Sequence, residues 1–348
     1  MNAPIPAART TGINHPWAEA PAPGDVIEVA EGILWARLSL PMKLDHVNIY
    51  ALDDGDGWTL IDTGLDWTTG RAQMETLLAG PLAAKPVSRV LMTHAHPDHV
   101  GLIGQFEAAG AQVLASRGAW LMARMMVLDR HEHHPPQNVT FRKRAGMSGD
   151  ALQVYTAETP FNFADCVQPI PVGYTRLQEG EILHAAGRDW TVRMGEGHAI
   201  EHITLWTEGI VLAGDQILPG ISPNIGVYAT EPEANPLKGW LESCERFRAL
   251  DLEPLVLPGH KLPFRGLNFR LRLLIDNHLH AFDRIEAALT EGPRTAVELM
   301  PPIFHREIGK GEFGMALVEA VAHVNYLHQA GRITRTLNAE GAWIYRGS

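Results

Sequence analysis

The segment at residues 93–99, Thr-His-Ala-His-Pro-Asp-His, constrains this chain more than any other part of its sequence. It follows the apolar run at residues 88–92, which predicts a buried strand that ends in a loop and then a helix. Such strand ends often carry catalytic side chains. The segment places four potential metal ligands close together: His94, His96, Asp98 and His99. Imidazole nitrogen and carboxylate oxygen suit borderline-soft divalent metals, so the segment predicts a metal site.

Three later strand ends carry the same residue types. His198 stands in GEGHAIEH, Asp215 in LAGDQI and His260 in LPGH, each after a run that is typical of a strand. A histidine-rich surface loop would account for residues 93–99 alone, but it would not account for these three positions. We therefore favour one site that is built from four separate parts of the chain.

The order of apolar runs predicts a layered α/β protein, because many short strands alternate with helices between residues 25 and 265. Residues 1–24, rich in Pro and Ala, are expected to form a flexible tail. The stretch at about 117–174 interrupts the strand pattern and is interpreted as an insertion, which begins with an amphipathic helix and becomes proline-rich.

Residues 266–348 predict a separate C-terminal domain. Helices are expected over 269–289, 295–300 and 313–330, followed by two short strands in RITRTL and AWIYRG. Three helices and a hairpin are typical of a winged-helix-like module, which binds DNA in some proteins and serves in packing or dimerisation in others. Residues 270–348 hold nine basic and nine acidic side chains, so their charges cancel and DNA binding is disfavoured. A homodimer through this domain is the alternative.

Charge and composition also limit the kinds of partner that the chain can bind. The chain of 348 residues has a formal net charge of -11, which is the wrong sign for holding a phosphate backbone. No apolar run reaches the roughly 18 to 20 residues of a membrane span, so no membrane partner is expected. Cys166 and Cys244 lie far apart and predict reduced thiols. The N-terminal residues lack the basic and apolar regions of a secretory signal, and a cytoplasmic location is expected.

The motifs resemble those of the metallo-β-lactamase superfamily, whose signature HxHxDH is matched by residues 94–99 without departure. The resemblance extends over about residues 25 to 265. It includes Asp62 in LIDTG, the pair His198 and His202 in GHAIEH, and the Gly-Asp and Pro-Gly-His runs that contain Asp215 and His260. It implies an αββα sandwich with the metals at one edge.

The resemblance also implies a ligand set for two divalent ions. His94, His96 and His198 would hold one ion, Asp98, His99 and His260 would hold the other, and Asp215 would bridge them. Zinc is the expected metal, with iron and manganese as alternatives, because the same donors accept all three. Two dications would lower the pKa of a shared water and polarise the substrate. Asp98 would also orient that water and relay a proton, while Asp62 and His202 would fix the orientation of the ligands.

Within the superfamily, the arrangement is most similar to the glyoxalase II, lactonase and thioesterase-like branch. That branch implies a small-molecule substrate, whose thioester, ester or lactone carbonyl is hydrolysed. A phosphodiesterase or endoribonuclease on the same metals is the alternative, since a catalytic domain followed by a winged helix also occurs in such a branch. A non-catalytic DNA-binding protein is a third hypothesis, but it leaves the intact ligand set unexplained.

Four residues are weaker candidates for substrate contact. Trp120 and Met125 could form an apolar lid over an acyl group, because methionine and large rings adapt to varied apolar partners. Arg265 and Tyr228 could contact a substrate carboxylate or carbonyl. For each of the four, a purely structural role is the alternative.

Overall fold

The computed structural model describes residues 12–348. Seven strands form the first sheet, in which each strand lies beside the next one along the chain. These strands are β1 (Ile27–Ala30), β2 (Ile33–Ser39), β3 (His46–Asp53), β4 (Trp58–Ile61), β5 (Val87–Leu91), β6 (Gln112–Ala115) and β7 (Thr175–Arg176). The first four are antiparallel, and a turn of Asp and Gly residues at 54–57 joins β3 to β4. From β4 to β7 the pairing is parallel.

Five strands form the second sheet. They are β8 (Ile182–Ala185), β9 (Arg188–Gly195), β10 (His202–Trp206), β11 (Ile210–Gly214) and β12 (Leu255–Pro258), with β12 at one edge and β8 at the other. The pair of β11 and β12 is parallel, and helix α7 (Pro236–Arg248) connects these two strands. Their last residues therefore lie at the same end of the sheet.

Alternate residues of the strands face different cores, because successive side chains in a strand point to opposite faces. In β11, Ile210 and Leu212 pack between the two sheets, whereas Val211 and Ala213 face a core on the outer side. The outer side of the first sheet has its own core beneath helices α1 (Thr68–Ala79), α3 (Ile103–Ala108) and α4 (Arg117–Leu128). Three cores separate four layers, which confirms the αββα sandwich.

The C-terminal region consists of helices α8 (Leu267–Thr290), α9 (Met300–Phe304) and α10 (Phe313–Gln329), followed by the two-stranded sheet of β13 (Ile333–Leu337) and β14 (Trp343–Gly347). The content of three helices and a hairpin is as expected, while the winged-helix character stays a prediction. Leu274, Phe282 and Leu317 of this region share one core with Trp240 and Phe247 of α7. The C-terminal helices therefore cover the second sheet together with α7.

The short helix expected over 295–300 is wrong in position, because the structure has turns at 296–299 and the helix α9 only from Met300. The backbone N–H of Thr295 donates to the carboxylate of Glu298, and the N–H of Glu298 donates to the Thr295 hydroxyl. This reciprocal pair closes a turn at the position where the sequence pattern predicts a helix. Pro301 and Pro302 then occupy the first turn of α9, where their missing N–H groups cost little.

The insertion contains more helix than its sequence predicts. After α4 it forms α5 (Pro136–Arg144) and α6 (Gly149–Ala157), and no helix was expected at either place. The short helix α2 (Pro97–Val100) contains Pro97, Asp98 and His99, the last residues of the histidine-rich segment. None of the helices within residues 12–348 is long and apolar enough to cross a membrane.

Part of the N-terminal segment packs against the sandwich rather than forming a free tail. Asn14 pairs through its backbone with Arg265, and the ring of Trp17 contacts that of Trp35 at a centroid distance of 6.5 Å. The expected flexibility therefore does not describe Asn14 and Trp17, because these contacts anchor them. The remainder of that expectation, residues 1–11, lies outside the described part of the chain.

Candidate metal centre

All seven sequence-predicted ligands converge at one edge of the sandwich. Segment 94–99 follows β5, His198 follows β9, Asp215 follows β11 and His260 follows β12. The strands of both sheets thus deliver side chains to one place. The structure brings together every member of the predicted set. Asp98 and His99 lie in helix α2, and the other five lie in loops at the ends of their strands.

The first group of candidate ligands is His94, His96 and His198, whose donor atoms all lie within 4.8 Å of one another. The Nε2 atom of His94 is 2.9 Å from the Nδ1 atom of His96. The ring centroids of His96 and His198 are 4.5 Å apart. Three nitrogens that face a common point are the usual protein contribution to a divalent metal site.

The second group is Asp98, His99 and His260. The Nε2 atom of His260 lies 3.3 Å from the Asp98 carboxylate, and the Nε2 atom of His99 lies 3.7 Å from it. His99 and His260 are buried, while the Asp98 side chain keeps 18% of its surface exposed. Asp98 is thus the ligand candidate of this group that solvent or substrate can reach.

Asp215 lies between the two groups. One carboxylate oxygen is 3.5 Å from His99 Nε2, and the other is 3.2 Å from His260 Nε2 and 3.7 Å from His198 Nε2. A carboxylate can donate to two ions through its two oxygens. The position of Asp215 therefore fits the bridging role that the resemblance implies.

Two glycines near Asp215 occupy positions where a side chain would collide with residues of the centre. A Cβ atom at Gly259 would lie 2.3 Å from the Asp215 Oδ1 atom, so no side chain fits there. Gly214 has a φ of +48°, and a Cβ at that position would lie 2.5 Å from a carbon of the His202 ring. The Gly-Asp and Pro-Gly-His runs of the sequence thus have a steric cause.

Hydrogen bonds from the far side of four of the five histidine rings, all except His96, fix which nitrogen faces the centre. The Nδ1 atom of His99 donates to Asp62 at 2.7 Å, and Asp62 also accepts from the N–H and hydroxyl of Thr93, both at 2.8 Å. Since the Thr93 hydroxyl proton is used for Asp62, its oxygen accepts from His94 Nδ1 at 2.9 Å. Asp62 and Thr93 thereby set the tautomers of two candidate ligands.

The other two rings are held by backbone carbonyls. His260 Nδ1 donates to the carbonyl of His46 at 2.6 Å, and His198 Nδ1 donates to the carbonyl of Asn224 at 2.9 Å. In both rings the Nε2 atom is left to face the centre. Such bonds on the outer nitrogen are a common feature of metal-binding histidines.

His202 contacts the ligand candidates without being one of them. Its Nε2 atom accepts a hydrogen bond of 3.1 Å from the backbone N–H of Asp215, and its ring stacks on that of His94 at 4.6 Å. It holds the start of the Asp215 loop against the His94 ring. This placement agrees with the orienting role that the resemblance implies for it.

Unpartnered buried atoms test whether a metal fits here. His99 Nε2, His198 Nε2 and Asp215 Oδ1 are buried and have no hydrogen-bond partner among the described residues. Of the thirteen such side-chain atoms within residues 12–348, these three lie together, because both histidine nitrogens are within 3.7 Å of an Asp215 carboxylate oxygen. The donor set of imidazoles and carboxylates therefore fits divalent cations.

The charges of the centre agree with this assignment. Burial lowers the pKa of His94 far below its ordinary value, and it lowers that of His96 to about 3. Burial alone would do the same to His260, but the charges of Asp215 and Asp98 outweigh it and raise its pKa to about 9. The two carboxylates thus attract positive charge to the second group, and a cation would compete there with the proton.

The predicted substrate contacts differ in their surroundings. Trp120 donates its indole N–H to the carbonyl of Pro171 and stacks on Tyr174 at 4.6 Å, so its side chain is engaged in packing. Met125 is 40% exposed and Tyr228 is 54% exposed. Arg265 is exposed, and its backbone pairs with that of Asn14. The roles of these four residues in substrate binding stay predictions.

Thr93, His46 and Asn224 are contributors that the sequence analysis missed. Thr93 could have been found, because it precedes the signature directly. His46 and Asn224 act through backbone carbonyls, which any residue carries, so their identity gives no signal.

Comparisons with known proteins agree with the fold and the centre. The sequence profile of the "Metallo-beta-lactamase superfamily" matches residues 42–260, more than half of the chain. A second profile, "Metallo-beta-lactamase-like, C-terminal domain", matches residues 282–348. The chain therefore belongs to the metallo-beta-lactamase superfamily and is a metallo-hydrolase.

Individual relatives are similar over nearly their whole length. A "Probable metallo-hydrolase YqjP" of Bacillus subtilis (strain 168) is 26% identical over 318 residues, which cover 87% of this chain and 94% of that protein. A beta-lactamase domain protein from Burkholderia ambifaria has 32% identity and a TM-score of 0.89, covering 99% of each chain. A metallo-beta-lactamase family protein from Thermus thermophilus has 29% identity and a TM-score of 0.76, covering 92% of this chain and 100% of that one.

Proposed function

We propose that this metallo-hydrolase hydrolyses a small thioester, ester or lactone by attack of water at its carbonyl carbon. The seven candidate ligands would hold two divalent ions, for which zinc is the first choice. In this proposal the chain functions like the glyoxalase II, lactonase and thioesterase-like branch of its superfamily. The observation that carries the proposal is the pair of three-residue groups joined by Asp215, with unpartnered buried atoms at its centre.

Two bound divalent cations would polarise the substrate oxygen and lower the pKa of a water between them. The chain's own residues position these events. The Asp98 carboxylate contacts His260, and part of its surface is open to solvent. It is therefore placed to accept a hydrogen bond from the attacking water and to take its proton. Asp215 holds the two groups together, and Asp62 keeps His99 in the tautomer that a ligand needs.

Apolar side chains near the centre favour a substrate with an apolar part. Ile200, between His198 and His202 in sequence, is 45% exposed. Helix α4, which carries Met125, is joined to the same loop, because the N–H of Gly118 donates to the carboxylate of Glu201 at 2.5 Å. Small-molecule sites are lined mainly by apolar side chains, so Ile200 and helix α4 are the proposed lining of the substrate site.

The alternative is a phosphodiesterase or endoribonuclease on the same metals, for which a winged-helix-like C-terminal domain is the main support. The net charge of -11 and the balanced charges of residues 270–348 favour the carbonyl substrate instead. A homodimer through this domain, the lack of a nucleic-acid partner and the cytoplasmic location belong to the proposal as predictions from the sequence.

One side-by-side assay tests the proposal. Zinc-loaded protein is given acyl thioesters, lactones, simple esters and a phosphodiester, with Asp215→Ala as the blank and Asp189→Ala, at a position 74% exposed on β9, as the matched control. We expect turnover of carbonyl substrates, a loss of about a thousandfold or more in Asp215→Ala, and unchanged activity in the control. Turnover of the phosphodiester alone would overturn the proposed substrate class, and a fully active Asp215→Ala protein would overturn the two-metal centre.

A further inference from the structure

The loop between β11 and α7 touches the candidate metal centre at two points. It begins with Asp215, which lies between the two ligand groups. Nine residues later, the carbonyl of Asn224 accepts the hydrogen bond of His198 Nδ1 at 2.9 Å. The path of this loop therefore decides both where the bridging carboxylate lies and how the His198 ring is turned.

The C-terminal helices hold this loop. The side-chain amide of Asn224 donates to the carboxylate of Glu319 at 2.8 Å and to the carbonyl of Met315 at 3.1 Å, both on α10. The N–H of Val227 donates to the carbonyl of Val318 at 3.0 Å. From α8, the buried guanidinium of Arg270 donates to the carbonyls of Leu218 and Ile221.

Among these contacts, the buried side chain of Glu319 is separated from a candidate ligand by one residue, Asn224. Only 2% of its surface is exposed. One hydrogen bond joins its carboxylate to Asn224, and one more joins Asn224 to His198. A hydrogen bond to a charged group contributes more to stability than one between two neutral groups, so the bond from Asn224 to the Glu319 carboxylate holds Asn224 firmly.

We propose that Glu319 of the C-terminal region is a positioning residue for the metal centre, acting through Asn224 on His198. The inference rests on the proposed function, because it assumes that His198 binds a metal ion. Glu319 fixes the Asn224 side chain, the carbonyl of the same residue fixes His198 Nδ1, and His198 Nε2 then faces His94 and His96. The C-terminal region thus contributes to the affinity of the first ligand group without donating a ligand.

The test is zinc binding measured by competition with a chelator, together with the visible spectrum of the cobalt-substituted protein. In Glu319→Ala we expect one of the two ions to bind about 10-fold to 100-fold more weakly, with the other unchanged. The cobalt spectrum should change in the part that belongs to that ion. Glu319→Gln should retain most of the affinity, because its amide oxygen accepts the same hydrogen bond from Asn224.

Asn325→Ala is the matched control. Asn325 is equally buried on α10 and donates two hydrogen bonds to the carbonyls of Pro232 and Ala234, which lie in the same loop but beyond its two contacts with the metal centre. Its loss should lower the free energy of unfolding while leaving both zinc affinities unchanged. If Glu319→Ala does not fold, Asn224→Ala removes the same bond at a half-buried position, keeps the backbone carbonyl, and should weaken the same ion.

The outcomes separate the two proposals. Parent protein that binds no zinc would overturn the proposed function itself. Parent protein with two ions, together with unchanged affinities in Glu319→Ala or Asn224→Ala, would overturn the role of Glu319 alone. Equal losses in Asn325→Ala and Glu319→Ala would show a general effect of stability, which also contradicts the inference.

Discussion

Within residues 12–348, histidines and carboxylates cluster at two places in which sets of three potential ligand atoms lie within 4.8 Å of one another. One is the candidate metal centre at the edge of the sandwich. The other joins α8 to α10 through His278, Glu319 and His323. They differ in what the facing atoms do, and this difference separates a metal site from a packed core.

In the C-terminal group one nitrogen of each histidine is bonded to the other ring, while His278 Nε2 has no hydrogen-bond partner in the part of the chain that the structure describes. His323 Nδ1 donates to the carbonyl of Glu319 at 2.8 Å, so its Nε2 atom is free to accept from His278 Nδ1 at 3.2 Å. The Glu319 carboxylate accepts from Asn224. In the metal centre, by contrast, the outer nitrogens of His99, His198 and His260 are bonded to the surrounding protein, and their inner nitrogens face the two carboxylates. Short distances alone therefore do not define a metal site, whereas the direction of the hydrogen bonds does.

The largest expected effect comes from replacing one histidine in the metal centre and, for comparison, one histidine in the C-terminal group. His94 and His278 are both fully buried, so truncation to Ala should cost comparable packing. We expect His94→Ala to lose at least one of two zinc ions and about a thousandfold or more in kcat/KM. His278→Ala should keep both ions, as measured by elemental analysis after gel filtration. A His278→Ala protein that loses an ion would remove the distinction between the groups.

A smaller effect is expected where a residue orients a ligand without binding the metal. Asn at position 62 tolerates the φ of +62° as Asp does, but Asp62→Asn removes the negative charge of the group that accepts the hydrogen bond from His99 Nδ1. Zinc should bind about 10-fold to 100-fold more weakly at the second group, as measured by chelator competition. Asp251→Asn, at an exposed position with a φ of +51°, is the control for the backbone and should bind zinc normally.

The smallest effect concerns the pH dependence of stability. Burial lowers the pKa of His323 from 6.5 to about 4, and it also lowers the pKa of His278 well below its ordinary value. As the pH falls below 6.5, the unfolded chain takes up protons that the folded chain refuses, so the free energy of unfolding falls towards pH 4. The contribution of one such histidine is roughly 1 kcal/mol per pH unit.

His278→Leu removes one of these contributions. In urea unfolding with a chelator present, its stability should fall less steeply between about pH 6.5 and about pH 4.5 than that of the parent. Equal slopes would show that His278 is not held neutral in the folded protein, and would bring the C-terminal group closer to a site that accepts positive charge.

Sequence reasoning reached the fold and the candidate ligands, because both depend on strong local patterns. The residues of 94–99 are dense, and β5, β11 and β12 are short apolar runs that end beside histidine or aspartate. Periodicity and ligand chemistry suffice for a layered α/β protein with one metal site, whereas the αββα arrangement and the division of the ligands between two ions depended on the resemblance to the superfamily.

The rest depends on interactions between distant residues or on the backbone. Helix α5 is polar around most of its surface, with Phe141 as its buried residue, so it lacks an apolar stripe that could be recognised. The carbonyl of Asn224 could belong to any residue type. Glu319 and His323 are one helical turn apart in an otherwise apolar stretch, which is a signal of a buried polar contact, but it does not tell which contact.

Because α7, α8 and α10 share one core, the chain cannot be shortened to its first 265 residues, or joined to another C-terminal region, without exposing that core. A cut after residue 265 would expose the apolar face of α7 and of the second sheet, of which Trp240, Phe247 and Val256 are fully buried parts. A contiguous apolar surface of this kind promotes aggregation. The C-terminal region is therefore not a detachable accessory, and the two parts would have to be inherited, expressed and engineered as one unit.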